Sequence, residues 1–548
     1  MAVNHDSASD LRTHDILLIA GIVIFAAVVR VPSLTQPLGP DQGIMSVIGE
    51  GILQGKLPYK DFWEMGSPAI FLTYALMFKL FGASMSAIPI ADMLVSMLTT
   101  LLIFAFAKMI WSKNIGYVSA LLFAFFSNGV RLGMHAGGDV AFGTFWYIGQ
   151  RETFMLPLIV SSFYLLLRSE RTGWSLVRLT TAGLLAGLAF VYKFPSLLIF
   201  FWQPIYLNLS MLRFGMRGRD FLKKNAALGA GFAFSLLPFA VFFWVRKAMP
   251  EMIDIIFRYV YSVYGQVDHS LLGLTKMALT RTFFIAEENF ILWIFFLVSA
   301  LHIVVNERRK ESLLVIFWGI ASLLYLISHR EFFGYHYLIL LPPLSLLAGY
   351  GLIRALGPRL ELRKVVTAEF GKAFIILALV ANGLFFATLN YMHYTKFYYY
   401  VTGKINRETY YSYFNAYPKH SYSFPADYDV ARYLVANTND GDTIFTLGGT
   451  ESVIHFLTKR SSPSRFIFSW ILFSRSHGGV ERAEGYRKEL LDSFVQSPPK
   501  YIVSLGALDE FKYYREIYSF MASNYVLEKQ FRDDRFVYVH RTRRGLGV

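Results

Sequence analysis

The stretch Gln36–Pro68 reads QPLGPDQGIMSVIGEGILQGKLPYKDFWEMGSP and lies between an apolar run ending near Val31 and another starting at Ala69. Just past its Pro-rich break stands an acid, Asp41. Behind it Ile44, Val47, Ile48 and Ile52 fall at helical spacing, which predicts a short amphipathic helix. A Gly-Lys-Leu-Pro-Tyr turn and the acidic, aromatic run Asp61-Phe62-Trp63-Glu64 complete the loop. A carboxylate beside an apolar boundary is costly unless it is paired or put to use. A helix lying along a membrane surface would hold such an acid at the mouth of a bundle, where a lipid-linked substrate arrives. The plainer reading of Asp41 is an N-cap of that helix.

The rest of the chain supplies the bundle. Hydrophobic residues make up 55% of it and charged residues 17%, which excludes an ordinary soluble protein. Apolar runs long enough to cross a ~30 Å hydrocarbon core predict spans near 15–34, 86–107, 115–134, 153–167, 179–193, 195–212, 225–245, 289–305, 313–328, 338–353 and 370–390. That is a polytopic α-helical membrane protein with about eleven transmembrane helices. The run 69–82 is expected on the membrane surface, because Phe78-Lys79-Leu80-Phe81-Gly82 ends it early. The first apolar run has no cleavage-like small-residue site, so it reads as a span and not as a signal peptide.

Lys and Arg set the orientation. Lys108 and Lys113, Arg168, Arg171 and Arg178, the group Arg213 to Lys224, Arg308 to Lys310, and Arg354 to Lys364 all follow even-numbered spans, on the side of the N-terminus. That side is expected to be cytoplasmic in a plasma (inner) membrane protein. The formal charge of +15 is then mostly a topology signal and no pointer to nucleic acid. Cysteine is absent, which excludes disulfides, thiolate metal sites and Cys nucleophiles.

The division expected is a membrane domain over 1–390, with outward loops 36–85, 135–152, 246–288 and 329–337, followed by an outward tail. Within the tail, 391–426 is crowded with aromatics and reads as a membrane-surface linker. Residues 427–548 read as an extracytoplasmic α/β domain. It has helices at Tyr428–Asn437, in GYRKELLDSFVQ and in EFKYYREIYSFMASNY, and strands at DTIFTLG, YIVSLG and RFVYVHR. It carries no Gly-rich phosphate loop. No internal repeat is evident, which weighs against a transporter built on inverted repeats.

The outward loops hold the residues suited to chemistry. Gly149-Gln150-Arg151-Glu152-Thr153 precedes a span, with His135 and Asp139 a little earlier. Arg151 and Glu152 can also be read as neutralising each other at the interface. Lys193 ends the fifth span in GLAFVYKFP; lysines there usually snorkel, yet an outward Lys opposes the bias that orients the chain. His329-Arg330-Glu331-Phe332-Phe333-Gly334-Tyr335-His336-Tyr337 gathers three phosphate-competent groups, since Arg330 offers a planar fork of donors and His336 and Tyr337 offer neutral ones. The aromatics Phe332, Phe333 and Tyr335 also fit an interfacial belt, and Trp63 an interfacial anchor.

Taken in order, these motifs resemble the GT-C glycosyltransferases, in the branch related to protein O-mannosyltransferases and the aminoarabinose transferase of lipid A (glycosyltransferase families 39 and 83). The first loop is similar to theirs, with Asp41-Gln42 where the family commonly has Asp-Glu, and Tyr59-Lys60-Asp61-Phe62-Trp63 similar to its Tyr-Arg-Asp-x-Trp. Glu64-Met65-Gly66-Ser67-Pro68 departs from its basic-Pro-Pro ending. The resemblance implies a GT-C bundle and an inverting transfer of sugar from a polyprenyl-phosphate donor to an acceptor hydroxyl on a glycan, lipid or protein. It implies Asp41 as the catalytic base, Glu152 as the second acidic position, and Lys193, Arg330, His336 and Tyr337 at the donor phosphate. Arg151, Asp61, His135 and Asp139 would lend support. No metal is required by this scheme, although His135 and Asp139 with Asp41 leave a divalent ion open. The rival from another class is a transporter or flippase of lipid-linked glycans, which should carry its charges along a path inside the spans.

Overall fold

The computed structural model describes residues 12–127, 147–260, 262, 271–329, 332–356, 368–414, 422–449, 452–473 and 481–543. Helix α1 (Thr13–Val28) leads into the first loop, which contains α2 (Pro40–Leu53) and α3 (Pro68–Phe81). Then come α4 (Ala87–Ile110), α5 (Lys113–Phe126), α6 (Arg151–Arg171) and α7 (Leu176–Tyr192). Among the described residues six helices are long and apolar enough to cross a membrane, and the pair Lys372–Thr388 and Asn390–Val401, bent by 48°, adds a seventh if taken as one span. The helices α3, α5 and α7 are apolar but shorter. The chain is a multi-pass membrane protein.

Two expectations about the bundle change. The run 195–212 is no single helix: a turn at Phe194–Ser196 and a short helix Leu197–Phe200 precede Trp202–Arg213. Pro195, lacking an N–H and fixed in φ, breaks the run at its start. Conversely, Leu271–Glu288 is helical inside what the sequence assigns to loop 246–288. Its apolar residues recur at helical spacing but are interrupted by Lys276, Arg281 and Glu287, so no unbroken apolar run marks it.

Beyond the bundle, four strands form one sheet in the order β1-β2-β4-β3: β1 (Ile444–Leu447), β2 (Tyr501–Leu505), β3 (Tyr525–Phe531) and β4 (Arg535–His540). β1 and β2 are parallel, with Ile444 opposite Tyr501, whereas β4 pairs antiparallel with both β2 and β3. The sequence misses β3, because YVLEKQF follows a helical run without a Gly or Pro break. Val430, Leu434, Ile444, Val503 and Val537 form this domain's own core. The fully buried ion pair Arg535 Nε–Asp427 Oδ1, 2.8 Å, ties β4 to the helix Phe424–Asn437.

The domain does not stand apart from the first loop. Trp63, expected at the lipid interface, is fully buried, with ring centroids of Tyr259, Phe466, Phe468 and Tyr486 at 5.1–5.9 Å. Its backbone N–H donates to the Arg465 carbonyl at 2.8 Å. Of the aromatic segment expected on the membrane surface, Tyr391 and Tyr398 stay exposed, whereas Tyr410, Tyr422 and Phe424 are fully buried. Tyr422 donates its hydroxyl to the Leu38 carbonyl (2.7 Å), and Tyr410 shares a bond with Thr35 (3.0 Å). An aromatic belt and an aromatic core have the same composition; only long-range contacts distinguish them.

Candidate functional site

The site forms where the loop ends of α2, α6 and α7 meet the helix Lys310–Ser328. Helix α2 is capped by Gly39, with Pro40 in its first turn, so Asp41 lies inside the helix and does not cap it. This corrects the N-cap reading. Asp41 is half-buried near the positive end of the helix dipole, a placement that favours a carboxylate. Two glutamines bind this end of α2 to the start of α6: Gln42 Nε2 donates to the Ile148 carbonyl at 2.7 Å, and Gln150 Nε2 to Asp41 Oδ2 at 3.3 Å. Between them Gly149 has φ +68, a conformation that favours glycine, and a Cβ there would meet Ile88 Cγ2 at 2.3 Å. The Gly149 N–H donates to Asp92 Oδ1 (3.0 Å) and its carbonyl accepts from the Tyr74 hydroxyl (3.1 Å).

Arg151 and Glu152 do not neutralise each other. Arg151 Nη2 lies 3.7 Å from Glu64 Oε1, whereas Glu152 Oε1 accepts from Lys193 Nζ at 2.5 Å and from the Tyr325 hydroxyl at 3.0 Å. Gly66 makes room for the first pair: a Cβ there would fall 2.2 Å from Arg151 Nη2. Its N–H donates to Glu64 Oε1 at 2.9 Å, and its carbonyl accepts from Tyr59 at 2.8 Å. Burial pushes the Glu64 carboxyl up to about 7, against the pull of Arg151 and with a further push from Asp41.

Lys193 ends α7 and is turned inward, its side chain only 13% exposed, so it does not snorkel. Its ammonium lies 5.7 Å from the Tyr325 ring centroid and 5.8 Å from that of Tyr335. Behind Tyr335 the rings continue to His336 (4.6 Å) and on to His329 (4.7 Å). Asp41 is within electrostatic reach of Lys193, Arg151 and Glu64, so two cations and three carboxylates form one polar cluster.

Asp41, Glu152, Lys193, Arg151 and His336 are therefore brought together. Tyr337 is not: adjacent to His336 in the helical turn Gly334–Leu340, it points elsewhere, and its hydroxyl shares a bond with Thr282 at 3.2 Å. Asp61 is exposed and closes its own turn, accepting from the Leu57 N–H at 2.7 Å. Arg330, His135 and Asp139 lie outside the described residues. Among the described residues no group of three or more His, Asp or Glu is placed to hold a metal ion. Glu64, Gln150, Tyr325, His329 and Tyr335 were not foreseen as site residues. Tyr325 and His329 had a legible signal, four residues apart on one helix face at a span end.

The family described as dolichyl-phosphate-mannose-protein mannosyltransferase matches residues 66–244, which contain α3 through α7 and hence Arg151, Glu152 and Lys193. A search of curated protein sequences gives no match. Among solved structures, the ArnT protein of Cupriavidus metallidurans bound to undecaprenyl phosphate superposes with a TM-score of 0.58 at 12% identity, covering 95% of this chain and 97% of that one. The oligosaccharyltransferase of Archaeoglobus fulgidus in its apo form superposes with a TM-score of 0.51 at 13% identity, covering 92% of this chain and 71% of that one.

Proposed function

Starting from the GT-C fold that this chain has, we propose that it is an inverting glycosyltransferase that takes a sugar from a polyprenyl-phosphate donor. The acceptor is a hydroxyl on a glycan, lipid or protein, and the reaction face is the extracytoplasmic side of the membrane. The observation that carries the reading is the charged cluster itself. A half-buried carboxylate at a helix N-terminus and an inward-turned lysine converge from loops at one end of the bundle. A transport path would instead spread its charges through the spans.

In the reaction Asp41 takes the proton of the acceptor hydroxyl as that oxygen attacks the anomeric carbon. The new C–O bond forms as the bond from the sugar to the phosphate oxygen breaks, with inversion, and the bonding pair leaves with the polyprenyl phosphate. Lys193 has three N–H donors. Glu152 engages one and orients the ammonium, and the others are offered to the phosphate as negative charge gathers on it. Arg330 and His336 are proposed as further donors to that phosphate. Glu152 thus serves Lys193.

The test uses the purified protein with undecaprenyl-phosphate-linked sugars and candidate acceptors. Free undecaprenyl phosphate released together with a glycosylated acceptor is the expected result. Donor that crosses the bilayer unchanged, with none released, would refute the reading.

A further inference from the structure

From the geometry around Arg151 we infer that Glu64 is a positioning residue of the reaction, holding Arg151 away from Asp41 so that Asp41 is free to take the acceptor's proton. The inference rests on the reading of Asp41 as the base. Glu64 sits in a strap whose two ends have different duties. The preceding residue, Trp63, is locked into the α/β domain by the rings of Phe466, Phe468 and Tyr486 and by its N–H bond to the Arg465 carbonyl. The following turn holds the Glu64 carboxylate in place, through the Gly66 N–H at 2.9 Å and the Tyr59 bond to the Gly66 carbonyl at 2.8 Å. Glu64 cannot follow Arg151 if the guanidinium moves, so the carboxylate is a fixed post.

The charged and titratable groups facing Glu64 are Arg151 from α6, Asp41 from α2 and the Tyr59 hydroxyl from its own loop. Arg151 thus lies within reach of Glu64 and Asp41, and more weakly of Glu152, which is already paired with Lys193; its Nε atom is buried without a hydrogen-bond partner among the described residues. With Glu64 ionised, the guanidinium divides its charge between the two acids. With Glu64 protonated, more of that charge falls on Asp41, whose oxygen must accept a proton, because Glu152 is already engaged by Lys193 and Tyr325. Burial, which raises the Glu64 carboxyl to about 7, places the change between these states near neutral pH.

The test compares wild type with Glu64→Gln in the full-length protein, by two measurements. In an infrared pH titration of the protein without substrate, wild type should lose a protonated-carboxyl band near neutrality that Glu64→Gln never shows. In a transfer assay, the wild-type rate should rise through the same pH range. The Glu64→Gln rate should stay flat there, about tenfold below the wild-type plateau, with donor-lipid affinity unchanged. Identical infrared titrations, or the same rising limb in both proteins, would overturn the inference. Wild type that titrates but transfers no sugar would overturn the glycosyltransferase reading, and this inference with it.

Discussion

Replacing Lys193 by Met should damage the protein twice, and the two effects can be separated. The Glu152 side chain is fully buried, and its Oε1 atom has two donors, Lys193 Nζ at 2.5 Å and the Tyr325 hydroxyl at 3.0 Å. Its Oε2 atom has no hydrogen-bond partner among the described residues. Loss of the ammonium leaves a buried carboxylate with a single neutral donor, which costs about 3–5 kcal/mol. Changing Glu152 to Gln in the same protein removes the uncompensated charge and keeps an oxygen for Tyr325, so most of that stability should return. Transfer should not return with it. A charge-assisted bond to the donor phosphate contributes about 1.5–3 kcal/mol, so both variants should bind donor lipid about 10- to 150-fold more weakly. Thermal unfolding in detergent, donor-lipid binding and transfer rate would be measured on wild type, Lys193→Met, Glu152→Gln and the double variant. Lys193→Met that unfolds at the wild-type temperature refutes the buried pair. A stable double variant that binds donor and turns over normally refutes the role of Lys193.

Asp41→Asn should lower transfer by about 100- to 10,000-fold while donor binding and folding persist, because the amide is isosteric and Asp41 does not cap α2; normal turnover would remove it as the base. Gly66→Ala should leave the protein folded, since the added methyl meets the far end of a flexible arginine at 2.2 Å and the edge of the Phe71 ring only at 3.0 Å, but the displaced Arg151 should slow transfer. Equal rates in Gly66→Ala and wild type would show that the position of Arg151 is unimportant. A reporter active only outside the cytoplasm, fused after Val548, should give signal; a cytoplasmic signal would mean that the chain crosses the membrane an even number of times.

The membrane class, the order of the motifs and the candidacy of Asp41, Glu152 and Lys193 are legible in the sequence, because each depends on local information. Apolar run length, helical period and charge beside a span end are properties of neighbours in the chain. Partnership is a different kind of fact. Arg151 and Glu152 are adjacent, yet successive helix positions point about 100° apart, so one reaches back to Glu64 and the other forward to Lys193 and Tyr325. The same geometry separates His336, packed between His329 and Tyr335, from Tyr337, bonded to Thr282. Trp63 has the composition of an interfacial anchor, and only the docking of the α/β domain, through the rings of Phe466, Phe468 and Tyr486, makes it core. The sequence by itself determined which groups stand at the loop ends of the bundle. The tertiary structure decided which of them meet, because an ion pair or ring stack forms between elements that packing brings together and not between residues that the chain places side by side.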